Sequence, residues 1–213
     1  MPLGIILVVI SYLIGSIPFG LLIGKAAGKD LRKSGSGNIG STNAVRTLGL
    51  KLGLLSAVCD ILKGTVIILL VYLLEYTTSW RNPFVINGDS LYAIYGVVAV
   101  IGHCFSIYLK FKGGKAVATS LGVLLVTVPY AAVAALIAFL ITMLICGYVS
   151  LGSTFATIAA IITSYLVYGF LVYNNIYTCI VLTLLAVIIF IKHIPNYKRL
   201  LNGTESSFKK KKV

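Results

Sequence analysis

Apolar and polar residues follow one another in long blocks along this chain of 213 residues. A helix crossing ~30 Å of hydrocarbon at ~1.5 Å per residue needs about 20 mostly apolar positions. Six blocks have that character: Leu3–Gly24, Leu54–Leu74, Leu91–Leu109, Tyr130–Gly147, Leu151–Leu171 and Ile176–Ile191. A seventh, Ala116–Val128, is only about a dozen residues long before Pro129 and suits a half-length or re-entrant helix. The pattern predicts an all-α polytopic membrane bundle of about seven transmembrane helices, one of them short. It is read as a single integral-membrane domain over residues 1–213 with a polybasic tail at 206–213. Met1-Pro2-Leu3 puts no Lys or Arg ahead of the first apolar run and no small-residue cleavage site follows, so Leu3–Gly24 reads as a retained helix, not a signal peptide.

Composition excludes the alternatives. Only 11% of residues are charged, against about 25% in a soluble domain. A soluble nucleic-acid binder could be as basic but not as apolar, and a disordered chain would lack this much apolar surface to bury. Lys and Arg number 18 against five Asp and Glu, a net charge of +13. Their positions matter more than their number, because Lys and Arg are retained on the cytoplasmic side. Sixteen of the 18 fall in three segments: Lys25–Lys51, Lys110–Lys115 and the stretch from Lys192 onward. With all three cytoplasmic, the N-terminus lies outside and the C-terminus inside, and an odd number of crossings counts Ala116–Val128 as one of them. Lys209–Lys212 reads as an anchor for anionic lipid headgroups, and Tyr165, Tyr168, Tyr173 and Tyr177 around Asn174-Asn175 read as an outer aromatic belt. Cys59, Cys104, Cys146 and Cys179 lie far apart without C-x-x-C spacing and read as structural thiols.

Three polar segments interrupt the pattern. In Lys33-Ser-Gly-Ser-Gly-Asn-Ile-Gly-Ser-Thr-Asn-Ala-Val-Arg46, the glycines Gly35, Gly37 and Gly40 let backbone N–H groups converge, while Ser36, Ser41, Asn38 and Asn43 add side-chain donors. Such an array suits a phosphate. Thr42 or Asn43 is placed to N-cap a helix beginning at Ala44, with Arg46 in its first turn directed at the same anion. In the second segment, Lys112-Gly113-Gly114-Lys115 opens an apolar helix and offers backbone N–H groups and two ammonium groups together; it lacks the spacing of a nucleotide-binding P-loop. In the third, Pro195 disfavours helix at Ile194, so the last span is expected to end near His193. His193, Asn196, Arg199 and Glu205 then lie at the same membrane face as the other two segments. Asp60 and Lys63, three apart on the second span, share a face and can pair, with a structural and a functional reading both open.

With two histidines, no cysteine cluster and five scattered acids, the composition argues against a metal site. The histidine-aspartate dyad of the common glycerolipid acyltransferases is absent too, because Tyr108 and Lys198 stand five residues after His103 and His193. At its three polar segments the chain strongly resembles the bacterial acyl-phosphate-dependent glycerol-3-phosphate acyltransferases, the PlsY family. The resemblance is carried by Ser36-Gly-Asn-Ile-Gly-Ser-Thr-Asn43 with Arg46, by Gly102-His103 through Phe111-Lys-Gly-Gly-Lys115 with Val117-Ala-Thr119, and by His193, Asn196, Arg199-Leu200, Gly203 and Glu205. Ser41, Ala116 and Tyr197 depart from it, standing where Ala, Gly and an aliphatic residue are common.

The resemblance implies attack of the 1-hydroxyl of sn-glycerol 3-phosphate on an acyl phosphate, giving lysophosphatidate and inorganic phosphate. It implies a catalytic set of Ser36, Arg46, Lys115, His193 and Asn196, and substrate-binding roles for Gly37, Asn38, Gly40, Thr42, Asn43, His103, Lys112, Gly113, Gly114, Arg199, Gly203 and Glu205. Glu205 is expected to brace the tail by pairing with a basic neighbour, and the proton acceptor is either His193 or a substrate phosphate. The implied partners are the two substrates, membrane lipid and functional coupling to the enzyme that makes acyl phosphate, at the cytoplasmic face of the bacterial inner membrane, with no cofactor and no nucleic acid. Two other classes fit parts of the pattern: a transporter or flippase for an organic phosphate, which calls for polar residues deep in several spans, and a lipid-binding scaffold, which explains the Lys tail but not the Gly/Asn/Ser segments.

Overall fold

Pro18 divides the first apolar block. Proline has no N–H to donate and disfavours helix at the residue before it, so the expected single helix is two: α1 (Pro2–Ser16) and α2 (Phe19–Ala26). The computed structural model describes residues 2–87, 89–171 and 175–209; Tyr173, Asn174 and Lys210–Lys212, which the sequence reading drew on, lie outside them. The break leaves carbonyls without helical partners in apolar surroundings, a loss of several kcal/mol if unmet. Two side chains from elsewhere in the chain meet it. Ser106 Oγ donates to Ser16 O at 2.6 Å and Lys63 Nζ donates to Ile17 O at 2.8 Å.

Two compact units divide the chain, Met1–Thr127 and Val128–Val213. In the first, α2 leads through a loop to α3 (Ser41–Leu48), then α4 (Leu50–Thr77), a ribbon of β1 (Val85–Ile86) antiparallel to β2 (Asp89–Ser90), α5 (Ala93–Cys104) and α6 (Val117–Thr127). The second holds α7 (Pro129–Cys146), α8 (Val149–Thr163) with a π-helical continuation over Ser164–Leu171, and α9 (Ile176–Leu201).

Four expectations are corrected. Two apolar helices are short, not one. The block Leu91–Leu109 is helical only over Ala93–Cys104 before a break at Phe105 and a 3₁₀ turn at Ile107–Leu109, and α6 is the other short helix. Among the described residues, the five segments long and apolar enough to cross a membrane are Pro2–Ala26, Leu50–Thr77, Pro129–Cys146, Val149–Leu171 and Ile176–Leu201. Helix α3 begins at Ser41 with Gly40 as its N-cap and no side-chain cap, so neither Thr42 nor Asn43 caps it and Arg46 lies in its last turn. Helix α9 runs through Pro195 to Leu201; an interior proline removes only the bond to Ile191 O and strains the turn, and the exposed ring is tolerated here. Tyr168 is buried beside Tyr130 instead of lining an interface.

Small residues let the helices of the first unit approach closely. At the α4–α6 crossing, a side chain on Gly64 would strike Thr119 O and one on Gly122 would strike Ile61 O. This contact holds α6, and the polar turn before it, against α4. The turn itself contains Lys110, Phe111 and Ala116 with φ of 51°, 63° and 62°. A left-handed backbone costs an L-residue roughly 1–2 kcal/mol, a cost that glycine at position 116 would not carry. Replacing Ala116 by Gly is therefore expected to raise stability by about 1 kcal/mol, measured as a higher midpoint of thermal unfolding in detergent.

Candidate active site

Asn43 organises the first polar loop. It is 1% exposed, and its Oδ1 accepts the Ser36 N–H at 2.9 Å while its Nδ2 donates to Leu31 O, Ser34 O and Asn38 O at 3.0, 3.0 and 2.8 Å. Asn38 Oδ1 accepts the Gly40 N–H at 2.8 Å, and the Gly37 N–H goes to Ser34 O. The N–H groups of Ser36, Gly37 and Gly40, expected to help cradle an anion, thus hold the loop itself. What the loop and the first turn of α3 present outward includes the exposed Ser36 and the half-buried Asn38 and Thr42. Arg46, half-buried on α3, follows one turn later. Lys29 Nζ donates to Thr47 O at 2.8 Å and closes the C-terminal end of α3.

The second loop is also closed by its own backbone. Phe111 N–H donates to Ser106 O, Gly113 N–H to Cys104 O and Gly114 N–H to His103 O, at 2.8, 3.1 and 3.0 Å. The glycine pair is needed for close approach: a side chain on Gly113 would meet His103 O, and one on Gly114 would meet the His103 ring. Its N–H groups therefore do not point at a ligand, contrary to expectation. The loop offers side chains instead, with Lys112 exposed and Lys115 half-buried. Behind it lies a buried cluster. Lys63 Nζ is 2.8 Å from Asp60 Oδ1, and His103 Nδ1 is 3.7 Å from the same oxygen.

The second unit carries the remaining polar residues on the end of α9. His193 is 3% exposed, and its Nδ1 lies 2.8 Å from Ile189 O. A carbonyl only accepts, so Nδ1 carries the proton and the basic lone pair is on Nε2. Tyr197 OH shares a 2.9 Å hydrogen bond with Thr154 Oγ1 and so ties α9 to α8. Beyond Leu201 the chain reverses at Gly203 (φ 68°), and the Thr204 and Glu205 N–H groups return to Arg199 O. Glu205 then receives Asn196 Nδ2 on Oε1 and Arg199 Nε on Oε2, each at 2.7 Å. This is the expected brace, with Asn196 as a second partner. Burial alone would raise the Glu205 carboxyl, but the bonds from Asn196 and Arg199 outweigh it and hold it below the usual range.

A family model described as glycerol-3-phosphate acyltransferase matches residues 5–203. The glycerol-3-phosphate acyltransferase of Bacillus subtilis strain 168 is 43% identical over 205 residues, covering 96% of this chain and 97% of that protein. The chain belongs to the glycerol-3-phosphate acyltransferase family. Its counterpart from Desulfotalea psychrophila is 44% identical over 202 residues, covering 95% and 96%. The crystal structure of PlsY, an integral membrane glycerol 3-phosphate acyltransferase, in its glycerol 3-phosphate form superposes with a TM-score of 0.82 at 36% identity, covering 97% of this chain and 96% of that one. The lysophosphatidic acid form gives 0.82 at 34%. This acyltransferase is accordingly an all-helical, multi-pass integral membrane protein.

Of the residues the acyltransferase was expected to use, the structure places Ser36 and Asn38 on the first loop, Thr42 and Arg46 on α3, and Lys112 and Lys115 on the second loop. It sets His193 and Asn196 on α9. Asn43, Gly113 and Gly114 hold their loops together through the bonds described above. Ser106 and Thr154 were missed; only Ser106 had a signal, since a proline inside an apolar run calls for donors to the freed carbonyls.

Two outcomes follow for the acyltransferase. Asn43→Asp keeps an acceptor for Ser36 but loses the donors to three carbonyls; the first loop is expected to weaken by about 1–3 kcal/mol, seen as faster proteolysis within residues 28–40. Glu205, with its carboxyl lowered in the folded protein, supplies stability that is complete above its ordinary value of 4.5 and lost as pH falls through the lowered one. The Asn196 side-chain amide signals in NMR should therefore stay fixed down to pH 4.5 and move below it, and Glu205→Gln should abolish that movement.

Proposed function

We propose that this glycerol-3-phosphate acyltransferase takes its acyl group from an acyl phosphate and delivers it to the 1-hydroxyl of sn-glycerol 3-phosphate, releasing lysophosphatidate and inorganic phosphate. The hydroxyl oxygen bonds to the acyl carbon, the bond from that carbon to the bridging phosphate oxygen breaks, and phosphate leaves with the electron pair. The hydroxyl proton passes to His193 Nε2. The observation that carries this reading is the His193 ring, held by Ile189 O in the tautomer that puts its lone pair on Nε2. A neutral imidazole suffices because an acyl phosphate is a mixed anhydride, already activated at carbon, whose leaving group chiefly needs its charge stabilised.

Ser36, Asn38 and Lys112 hold the acyl-phosphate head, and Arg46 and Lys115 offer charge-assisted donors to substrate phosphate. Asn196, fixed by Glu205, orients the glycerol moiety beside His193. Both substrates are anionic, and the shortage of acids, five in 213 residues, supports a site that gathers phosphates. The basic segments support an N-terminus outside and an active site at the cytoplasmic face.

Protein reconstituted into vesicles of known sidedness and given acyl phosphate is expected to release phosphate only when glycerol 3-phosphate reaches the face carrying the basic segments. Release independent of glycerol 3-phosphate, or from the other face alone, overturns the reading. His193→Ala should lower kcat about a hundredfold, the lower range for loss of a general base.

A further inference from the structure

We propose that Asp60 and Lys63 are positioning residues that hold the two basic loops of the first unit in register for phosphate binding; this rests on the reaction proposed above. Both residues are buried, at 2% and 3% exposure, on α4, and neither belongs to a polar loop. Lys63 reaches one of the loops through the break in the first span. Its ammonium donates to Ile17 O, the carbonyl just before Pro18 at the break, and lies 5.8 Å from the centre of the Phe19 ring. Helix α2 in turn packs on the first loop, where a side chain on Gly20 would strike Ile39 O.

Asp60 reaches the other loop through His103. Its Oδ1 lies 3.7 Å from His103 Nδ1, the His103 ring packs on the Gly114 backbone, and His103 O receives the Gly114 N–H. One residue further on is Lys115. A single ion pair thus sits two contacts from Ile39 in the first loop and two from Lys115 in the second. A pair needed for stability alone gains nothing from touching both loops, and apolar residues of similar volume are often as good in a protein interior.

That alternative makes the test. Asp60→Asn, Lys63→Met and the double variant are purified in lipid, and melting temperature and the KM for each substrate are measured. Each single variant leaves one buried charge unbalanced and is expected to melt earlier. The double variant removes both charges and is expected to regain most of the wild-type melting temperature, with both KM values still raised about tenfold. Native KM values in a stable double variant overturn the proposal. Should the double variant fail to fold, Asp60→Glu keeps both charges and displaces the carboxylate by one methylene; raised KM values at unchanged melting temperature support positioning, and native ones overturn it. A wild-type protein without acyl transfer would sink the proposed reaction instead. Titration of the same variants with inorganic phosphate would then decide: weaker binding in the double variant supports the coupling, and wild-type binding overturns it.

Discussion

The ammonium of Lys63 on the carbonyl of Ile17 is the contact on which the first unit turns. A helix broken by proline exposes carbonyls, and in apolar surroundings no water satisfies them. An ammonium group can, but its own charge must be balanced, and Asp60 one turn away does so at 2.8 Å. Proline, lysine and aspartate make sense only together. With the break supported, α2 delivers the chain to the first basic loop, while the acid of the pair faces the histidine beneath the second.

Both loops show how backbone and side chains share the work. Glycine-rich stretches suggest N–H groups offered to phosphate, yet here those groups fold the loops, onto Asn43 in one case and onto His103 and Cys104 in the other. The rigid backbones then carry Ser36, Lys112 and Lys115. Preorganised side chains give up little conformational freedom when a charged ligand arrives, which suits a site whose ligands are phosphates. On α9 the same principle uses a carboxylate: Glu205 fixes Asn196 and Arg199 from a chain reversal beyond the helix. Arg199 balances the charge of that acid at 2.7 Å.

Much of this was legible in the sequence. Apolar blocks reveal membrane helices because the bilayer demands about 20 apolar residues per crossing, and the composition left no soluble alternative. The three polar segments stood out against those blocks, and their motifs carried the family resemblance. Even the pairing of Asp60 with Lys63 and the bracing by Glu205 could be anticipated from spacing and charge.

Tertiary structure decided where each polar group points. Spacing places Asn43, Gly113 and Gly114 among candidate ligands, but their bonds run to residues 5 to 12 positions away for Asn43 and 9 to 11 for the glycines, and no local pattern reveals such pairings. Pro195 illustrates the same limit: local preference says stop, while burial of His193 and Asn196 along α9 favours continuing the helix. Hydrophobic periodicity is a property of one segment and can be read from it. A hydrogen bond between loops belongs to the fold, because it exists only once packing has brought its donor and acceptor together.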